Sequence, residues 1–320
     1  MTPTTVPSIY PPDWQQQWQW QGLDLSYVQT PAPSAGSAET STVVLIHGFG
    51  ACKEHWRHTI PALQGRHRVL ALDLVGFGSS AKPASRLKQE TDRQGWCYGI
   101  DSWADQVVAL IEHASPGPVQ LVGNSIGGVV ALAAAKKLEQ MGRSARQVVL
   151  IDCAQRNLDD KRLAEQPPLR RWGRPLLKAL VRQRWFTRLV FSSVVKRGVI
   201  RKVLQQAYPS GQNVDEQLID ILITPAQQPG AEEAFHGFIN LFNDRLAPEI
   251  LDNLSTPVAM LWGEQDPWEP IAEAERWKRF SCVRSLQRLP GLGHCPHDED
   301  PAAVNPHLSQ LLICAEKPSC

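Results

Sequence analysis

Short apolar runs that end in polar or glycine-rich loops recur through the first half of the chain. Four of these runs are continuous and rich in β-branched residues, which is typical of parallel strands buried on both faces. They occupy residues 43–46, 69–72, 119–122 and 148–151. Three helical stretches lie between them, over about residues 55–63, 100–113 and 127–140. This alternation predicts an α/β fold with a mostly parallel twisted sheet and helices on both faces.

The alternation is interrupted in the middle of the chain. Residues 156–245 carry no strong strand signal and are predicted to be helical, with a long helical stretch over residues 175–206. Strands are predicted again over residues 258–262 and 283–289, with helices near 271–280 and 302–314. We therefore expect an α/β core made of residues 1–155 and 246–320. The segment 156–245 is expected to form a helical cap over the carboxyl ends of the strands, where open α/β sheets bind ligands.

The chain before the first parallel strand predicts a smaller element. Residues 14–21 and 23–30 alternate in polarity around Gly22, which predicts a β-hairpin. Residues 31–42 are rich in Pro, Ser, Ala and Gly and predict a loop. Residues 1–19 hold no Lys or Arg and no apolar core, so we expect no signal peptide there.

Ser125 lies in the segment Gly-Asn-Ser-Ile-Gly-Gly, residues 123–128, between a predicted strand and a predicted helix. A serine at such a turn has an exposed hydroxyl, and the next backbone N–H points at an incoming carbonyl group. The segment therefore predicts a serine nucleophile for acyl transfer. The alternative is a glycine-rich turn that only packs a helix against the sheet, so the partner residues must decide.

A serine nucleophile needs a base within hydrogen-bond reach and a carboxylate that orients this base. In this topology the expected chain order is Ser, acid, His. Asp266 and His294 each follow a predicted strand, at the same sheet edge as Ser125, and are predicted to be the acid and the base. Asp152, at the end of another strand, is the alternative acid, and His297 is the alternative base.

The oxyanion of acyl transfer needs two backbone N–H donors. We expect them to come from Ile126 and from Phe49, whose loop contains glycines that allow a close approach to the substrate. His47 is expected to brace this loop. The ring of Phe49 is a candidate for the wall of the substrate pocket, as are the rings of Phe77 and Trp268.

Taken together, these segments resemble the α/β-hydrolase superfamily, in its Ser-dependent esterase and lipase-like branch. The segments are His-Gly-Phe-Gly at 47–50, residues 73–79, 123–128 and 263–266, and Gly-His at 293–294. A closer resemblance is to the pheophytinase-like hydrolases of photosynthetic organisms, carried by residues 224–226, 262–270 and 293–299. This resemblance implies a hydrolase that needs no cofactor and acts on a phytyl or similar long-chain ester of a chlorophyll-derived pigment.

The nucleophile narrows the reaction class. Epoxide hydrolases and haloalkane dehalogenases of the same fold use Asp at this turn, because attack by Ser on an sp³ carbon would leave a stable ether. Ser125 therefore favours a carboxylic ester that is cleaved through an acyl-enzyme. The alternatives are a perhydrolase or a C–C bond hydrolase with the same three residues, and a ligand-binding protein in which they are vestigial.

Composition adds further expectations. The net charge of +1 gives no global field for nucleic acid, and no apolar stretch approaches the roughly 20 residues that span a membrane. Seven scattered cysteines without a C-x-x-C pair favour free thiols in a reducing compartment, so we expect a cytoplasmic protein. His294, Cys295, His297 and Asp298 cluster locally, but no second set is spaced for zinc, and we predict no metal site.

The charge is unevenly distributed. Residues 156–202 hold 14 Lys and Arg against three Asp and Glu, a net +11, with apolar and aromatic residues between them. Basic amphipathic helices with aromatic residues are typical of membrane interfaces, whereas the alternative is a solvated basic face over a cap. We expect a small apolar ester as the binding partner and no nucleic acid. Peripheral membrane contact through the basic cap and the oligomeric state stay open.

Overall fold

An eight-stranded sheet forms the centre of the computed structural model, which describes residues 8–33, 41–115 and 117–316. The strands are β1 (Gln15–Trp20), β2 (Leu23–Gln29), β3 (Thr42–Ile46), β4 (Val69–Leu72), β5 (Val119–Asn124), β6 (Gln147–Ile151), β7 (Val258–Gly263) and β8 (Val283–Leu289). Their order in the sheet is β1-β2-β4-β3-β5-β6-β7-β8. Strands β3 to β8 are parallel, which confirms the predicted fold class.

The predicted hairpin is present at one edge of the sheet. Strands β1 and β2 pair antiparallel, and β2 continues antiparallel onto β4. The two residues between the strands, Gln21 and Gly22, have φ of 50° and 75°. Two positive φ values are typical of the tight hairpin turn whose twist matches that of the strands. Most of the predicted loop over residues 31–42 lies outside the described residues.

Helices cover both faces of the sheet. The helices are α1 (Thr59–Leu63), α2 (Ile100–Ala114), α3 (Ile126–Gln140), α4 (Pro168–Val181), α5 (Arg184–Val194), α6 (Arg197–Ala207), α7 (Glu216–Ala226), α8 (Ala231–Ile239), α9 (Ala247–Leu251), α10 (Ile271–Trp277), α11 (Pro296–Glu299) and α12 (Pro301–Cys314). Along β3, Val44 and Ile46 belong to the apolar core that includes α2 and α3, whereas Val43 and Leu45 belong to the core that includes α1 and α12. Successive side chains of a strand point to opposite faces, so each central strand stabilises two cores.

The predicted long helix over residues 175–206 is wrong. The chain forms three shorter helices there, α4, α5 and α6, separated by extended residues at Gln183 and Lys196. Near the end of α5 the hydroxyls of Ser192 and Ser193 donate to carbonyls three residues earlier, and such side-chain bonds compete with the helix backbone. A single helix of this length would be a rod of about 48 Å, whereas three short helices can fold back over the sheet edge.

The predicted helix over residues 55–63 is also interrupted. A 3₁₀ helix (Lys53–Trp56) precedes α1, which begins at Thr59. Pro61 is the third residue of α1 and has no N–H to donate to residue 57, so a continuous α-helix through this point is disfavoured.

The stretch between β6 and β7 is helical. Residues 152–257, described without a gap, contain α4 to α9 and a 3₁₀ helix (Asp160–Glu165) but no strand. The bounds 156–245 for a separate cap stay a prediction. Among the described residues, no helix is both long enough and apolar enough to cross a bilayer.

A buried ion pair fixes the helical stretch to the core. The guanidinium of Arg57 donates to Asp298 at 2.8 Å and to Asp215 at 2.9 Å. The hydroxyl of Tyr208 also donates to Asp298, at 3.0 Å, and His55 bonds this hydroxyl at 2.8 Å. Because Asp298 is fully buried, these donors are the compensation for its charge, and they hold the end of α6 beside the loop after β8.

Candidate active site

Ser125 occupies a strained turn between β5 and α3. Its φ is 55° and its ψ is −125°, a conformation that costs about 1–3 kcal/mol for a residue with a side chain. The turn needs glycine on both sides of the serine. A Cβ on Gly123 would lie 2.2 Å from the carbonyl oxygen of Gly127, and one on Gly127 would lie 2.3 Å from that of Ile46. The sequence therefore allows α3 to begin in direct contact with the strand ends.

Asp266 and His294 are in direct contact. Atom Nδ1 of His294 lies 2.7 Å from Oδ2 of Asp266, and both side chains are nearly or fully buried. The other oxygen of Asp266 accepts from the backbone N–H groups of Trp268, at 2.8 Å, and Glu269, at 3.1 Å. A carboxylate only accepts hydrogen bonds, so Nδ1 of His294 is the donor to Asp266, and in a neutral imidazole the other ring nitrogen, Nε2, is then an acceptor.

The loop that carries His294 is fixed by its own backbone. The N–H of His294 donates to the carbonyl of Ala207, at the end of α6, at 2.9 Å. Its carbonyl accepts from the side chain of Asn124, the residue before Ser125, at 3.0 Å. The turn of Ser125 and the loop of His294 are therefore linked by a hydrogen bond, and the helical stretch contacts the loop of His294 through Ala207.

Ser125 and His294 line the same cavity, which has a volume of about 510 Å³. Among the described residues, no hydrogen bond joins the Ser125 hydroxyl to the imidazole. Catalytic hydrogen bonds are often long or poorly aligned without substrate and shorten in the complex. The arrangement therefore brings a hydroxyl, an imidazole and a carboxylate to one edge of the sheet, with the last two already bonded.

The two expected oxyanion donors are available. The loop of Phe49 follows β3, and Ile126 begins α3. Within the described chain, no backbone hydrogen bond uses the N–H of either residue. His47 braces this loop, because Nδ1 bonds the carbonyl of Gly48 at 2.7 Å and Nε2 accepts from Leu74 N–H at 3.1 Å. Burial lowers the pKa of His47, so its ring stays neutral.

The cavity wall is mainly apolar. Besides the site residues, its lining includes Phe191, Val194, Val199, Val203, Leu222 and Phe235, from helices α5 to α8. Trp268 also lines it, with its ring centroid 4.8 Å from that of His294. Phe49 forms another part of the wall and stacks on Phe238 at 3.8 Å. Phe77 lies behind Phe49, at 5.7 Å, and lines a smaller cavity of about 50 Å³ instead.

His297, the alternative base, does not face this cavity. It is fully buried, with its ring 4.3 Å from Trp56 and 5.0 Å from His55. Burial lowers the pKa of His297 well below its usual range, and the ring therefore behaves as a neutral core group. His297 lies only three residues after His294, and the sequence gave no indication that the two side chains have different surroundings. They differ because the loop turns into α11 between them.

Two further carboxyl groups surround Asp266. Burial raises the pKa of Asp152 well above its usual range, and the charge of Asp266 raises it further. Burial raises the pKa of Glu269 to about 8, and Asp266 again adds to the effect. Asp152 accepts from Gly263 N–H at 2.9 Å, and Glu269 accepts from Gln155 N–H at 2.9 Å. Glu269 is therefore mostly a neutral acid at pH 7, and burial disfavours the charged form of Asp152 in the same way.

One group of potential metal ligands occurs in the described part of the chain. Atoms of Cys52, Glu54 and Asp73 lie within 4.8 Å of one another. The ammonium of Lys53 is already 2.7 Å from Asp73 and 3.0 Å from Glu54. Although burial alone would lower the pKa of Lys53, the two carboxylates outweigh it and raise that pKa. This group is therefore a buried ion cluster beside the Phe49 loop.

Several residues that shape the site were not found from the sequence. They are Glu269 and Asn124, which contact the acid and base loops, and the Arg57, Asp298, Tyr208 and His55 network. Arg57 and Asp298 are 241 positions apart, so no local pattern relates them. The only signal for Glu269 in the sequence was the presence of a second acidic side chain in the loop, three positions after Asp266.

Comparison with known proteins gives the relationships of the chain. Residues 43–307 match the alpha/beta hydrolase family. The chain is 27% identical over 273 residues to the uncharacterized hydrolase YugF of Bacillus subtilis (strain 168), covering 85% of this chain and 89% of that protein. It is 25% identical over 293 residues to chloroplastic pheophytinase of Arabidopsis thaliana, covering 83% of this chain and 60% of that protein.

A solved structure supports the same fold. The serine hydrolase CarC, involved in carbazole degradation, aligns with a TM-score of 0.70 over 94% of this chain and 98% of that chain. The two sequences are 18% identical, so this likeness concerns the fold and not the substrate.

Glu269 predicts a pH dependence of stability. Its pKa is about 8 in the folded protein and near 4.5 in the unfolded chain, so the folded state binds one extra proton between these values. The free energy of unfolding should therefore fall as pH rises from about 5 to 8. The variant Glu269→Gln should make the slope of unfolding free energy against pH less negative, by the equivalent of about one bound proton. Urea unfolding at several pH values measures this slope.

The control is Glu112→Gln, at an exposed position of α2, which should keep the wild-type slope. Identical slopes for wild type and Glu269→Gln would contradict the assignment of a neutral acid at residue 269.

Proposed function

The chain belongs to the alpha/beta hydrolase family, and we propose that it cleaves carboxylic esters with Ser125 as the nucleophile, without a cofactor. The observation that carries this proposal is the 2.7 Å contact between His294 and Asp266 in a cavity that also contains Ser125. The contact leaves Nε2 of His294 as a proton acceptor on the side of the hydroxyl. The family match confirms the predicted superfamily. That the bond cleaved is a carboxylic ester is the finer proposal.

The first half of the proposed reaction forms the acyl-enzyme. Ser125 Oγ attacks the ester carbonyl carbon while its proton moves to Nε2 of His294. The carbonyl oxygen becomes an oxyanion, which accepts from the N–H groups of Phe49 and Ile126. The tetrahedral intermediate then expels the alcohol, which takes the proton from His294. Asp266 stays a carboxylate throughout and stabilises the imidazolium.

The second half repeats these steps with water. His294 takes a proton from a water molecule, which attacks the acyl carbon, and the proton then returns to Ser125 as the acid leaves. The proton transfer requires the Ser125 hydroxyl and the His294 ring to come within hydrogen-bond distance in the substrate complex. The Asn124 side chain, which bonds the loop of His294, keeps the two halves of the site in register.

The substrate proposal rests on the cavity. Its volume of about 510 Å³ and its Val, Leu and Phe lining suit an apolar acyl or alcohol chain. The finer proposal is a long-chain or phytyl ester of a chlorophyll-derived pigment. It is supported by the apolar wall and by the similarity to chloroplastic pheophytinase over 83% of this chain.

Removal of the nucleophile tests the reaction class. Ser125→Ala should lower kcat for p-nitrophenyl ester hydrolysis by about 10⁴-fold or more, because it removes the hydroxyl on which the acyl-enzyme forms. A fluorophosphonate probe should label the wild type and not this variant. The matched control, Ser255→Ala at an exposed position, should keep activity and labelling. A folded wild type that neither labels nor turns over esters would instead favour the ligand-binding alternative.

Two isosteric variants distinguish the candidate acids. Asp266→Asn should lower kcat by about 10³- to 10⁴-fold, because the amide favours the wrong histidine tautomer. Asp152→Asn should stay within about threefold of wild type, since the amide oxygen of Asn can replace the Asp152 oxygen as the acceptor for Gly263 N–H. Steady-state kinetics at pH 7 measures both, and the reverse order of losses would assign the role to Asp152.

Esters of graded length test the substrate class. Each methylene group that enters the cavity should contribute about 0.8 kcal/mol, so kcat/KM should rise from p-nitrophenyl acetate to octanoate. Val199→Trp, which fills the cavity from α6, should remove most of this rise and leave acetate hydrolysis unchanged. A pigment phytyl ester assayed alongside tests the finest proposal. A flat or falling profile for the wild type would contradict a long apolar substrate.

A further inference from the structure

Helices α4 and α5 carry large apolar side chains that do not face the core. The apolar ridge, as we call it, consists of Leu169, Trp172, Leu176, Trp185 and Leu189. Trp172 is 82% exposed and Trp185 is 64% exposed. By contrast, α4 buries only Arg174 and Val181, and α5 buries only Thr187. These two amphipathic helices therefore turn their apolar faces outward, the opposite of what packing on a core requires.

The ridge is not the wall of the active-site cavity. That wall uses Phe191 and Val194 from the end of α5 and residues of α6 to α8, and α4 contributes none of it. Residues 169, 172 and 176 follow the spacing of one helix face, so they form a continuous strip along α4. An exposed strip of this kind with charged borders marks an interaction surface.

The charge around the ridge has one sign. Residues 168–207 hold eleven Lys and Arg and no Asp or Glu. Some of these cations bond acids from neighbouring segments, as Arg174 does with Asp160 and Arg184 with Glu90. Five others are exposed and form no ion pair with any residue in the described ranges. This basic fringe consists of Arg170, Arg171, Arg182, Lys196 and Lys202.

We propose that the apolar ridge and the basic fringe dock this protein on the surface of an anionic lipid bilayer. Transfer of Trp and Leu side chains from water into the interfacial layer is favourable. Lys and Arg side chains beside them reach the anionic headgroups. A second copy of the chain fits poorly, because a two-fold interface would place one basic surface on another. Nucleic acid would match the charge of the basic fringe, but it would leave the apolar ridge exposed to water.

The docking surface lies beside the proposed substrate cavity. Val194 and Val203, on α5 and α6, line the cavity and are 37% and 45% exposed. The same α5 carries the Trp185 and Leu189 part of the ridge. A bilayer in contact with the ridge would therefore lie close to the outer wall of the cavity. The docking itself does not depend on the reaction that the cavity performs.

Vesicle co-sedimentation with the full chain tests this proposal. The probes are phosphatidylcholine vesicles with and without about 30 mol% phosphatidylglycerol. At about 50 mM salt the protein should bind the anionic vesicles at least tenfold more strongly than the neutral ones. At about 500 mM salt most of this difference should be lost, because the charges are screened.

Variants separate the two parts of the surface. The double variant Trp172→Ala and Leu176→Ala should weaken binding to anionic vesicles about tenfold, and Met141→Ala, exposed at the end of α3, should not. Arg170→Gln with Arg171→Gln should weaken it by a similar factor and flatten the salt dependence. Arg276→Gln with Lys278→Gln, the same charge loss on and beside α10, is the control.

Circular dichroism and p-nitrophenyl acetate hydrolysis in buffer check that the ridge variants fold, so a failure of docking and a failure of the hydrolase proposal remain distinguishable. Equal binding of wild type and ridge variants to anionic vesicles would overturn the proposal. So would the absence of binding to anionic vesicles. Salt-sensitive binding to duplex DNA, or dimerisation that the ridge variant abolishes in sedimentation velocity, would then assign the surface to nucleic acid or to a second copy of the chain.

Discussion

The hydrogen bond between Asp266 and His294 is the interaction on which the rest of the site depends. It makes Nδ1 of the imidazole a donor to Asp266, and the ring lines the cavity that Ser125 also lines. The parallel sheet makes this contact, because the loops after β7 and β8 leave neighbouring strands at the same edge as the turn of Ser125. Backbone donors hold the carboxylate, and Asn124 and Ala207 hold the histidine loop. The geometry therefore rests on main-chain bonds more than on flexible side chains.

The same bond depends on an unusual distribution of charge. Three carboxyl groups, those of Asp152, Asp266 and Glu269, meet behind the imidazole, and three negative charges in that volume would be strongly unfavourable. Burial disfavours the charged forms of Asp152 and Glu269, and Asp266 is the one of the three that accepts from His294. Sequence reasoning treated Asp152 as a rival of Asp266. In the structure Asp152 accepts from the backbone N–H of Gly263, at the start of the Asp266 loop, and it is not bonded to His294 among the described residues.

The sequence was most informative where local chemistry is restrictive. The glycines around Ser125 and the β-branched runs have few alternatives, so the tight turn at Ser125 and the parallel strands could be predicted, and the strand order placed Asp266 and His294 at one edge. The helical stretch was harder, because the breaks at Gln183 and Lys196 follow from folding over the sheet edge. The place of Phe77 behind Phe49, and the buried network of Arg57 and Asp298, depend on contacts between distant segments. No pattern within a window of residues records such contacts.

The tautomer of His294 tests the central claim most directly. Nitrogen-15 NMR of the folded protein, with His294 assigned by its loss in a His294→Gln variant, reports which ring nitrogen carries the proton. We expect a proton on Nδ1, shifted far downfield by the hydrogen bond to Asp266. A ring protonated at Nε2, or an Nδ1 signal unaffected by replacement of Asp266, would contradict it.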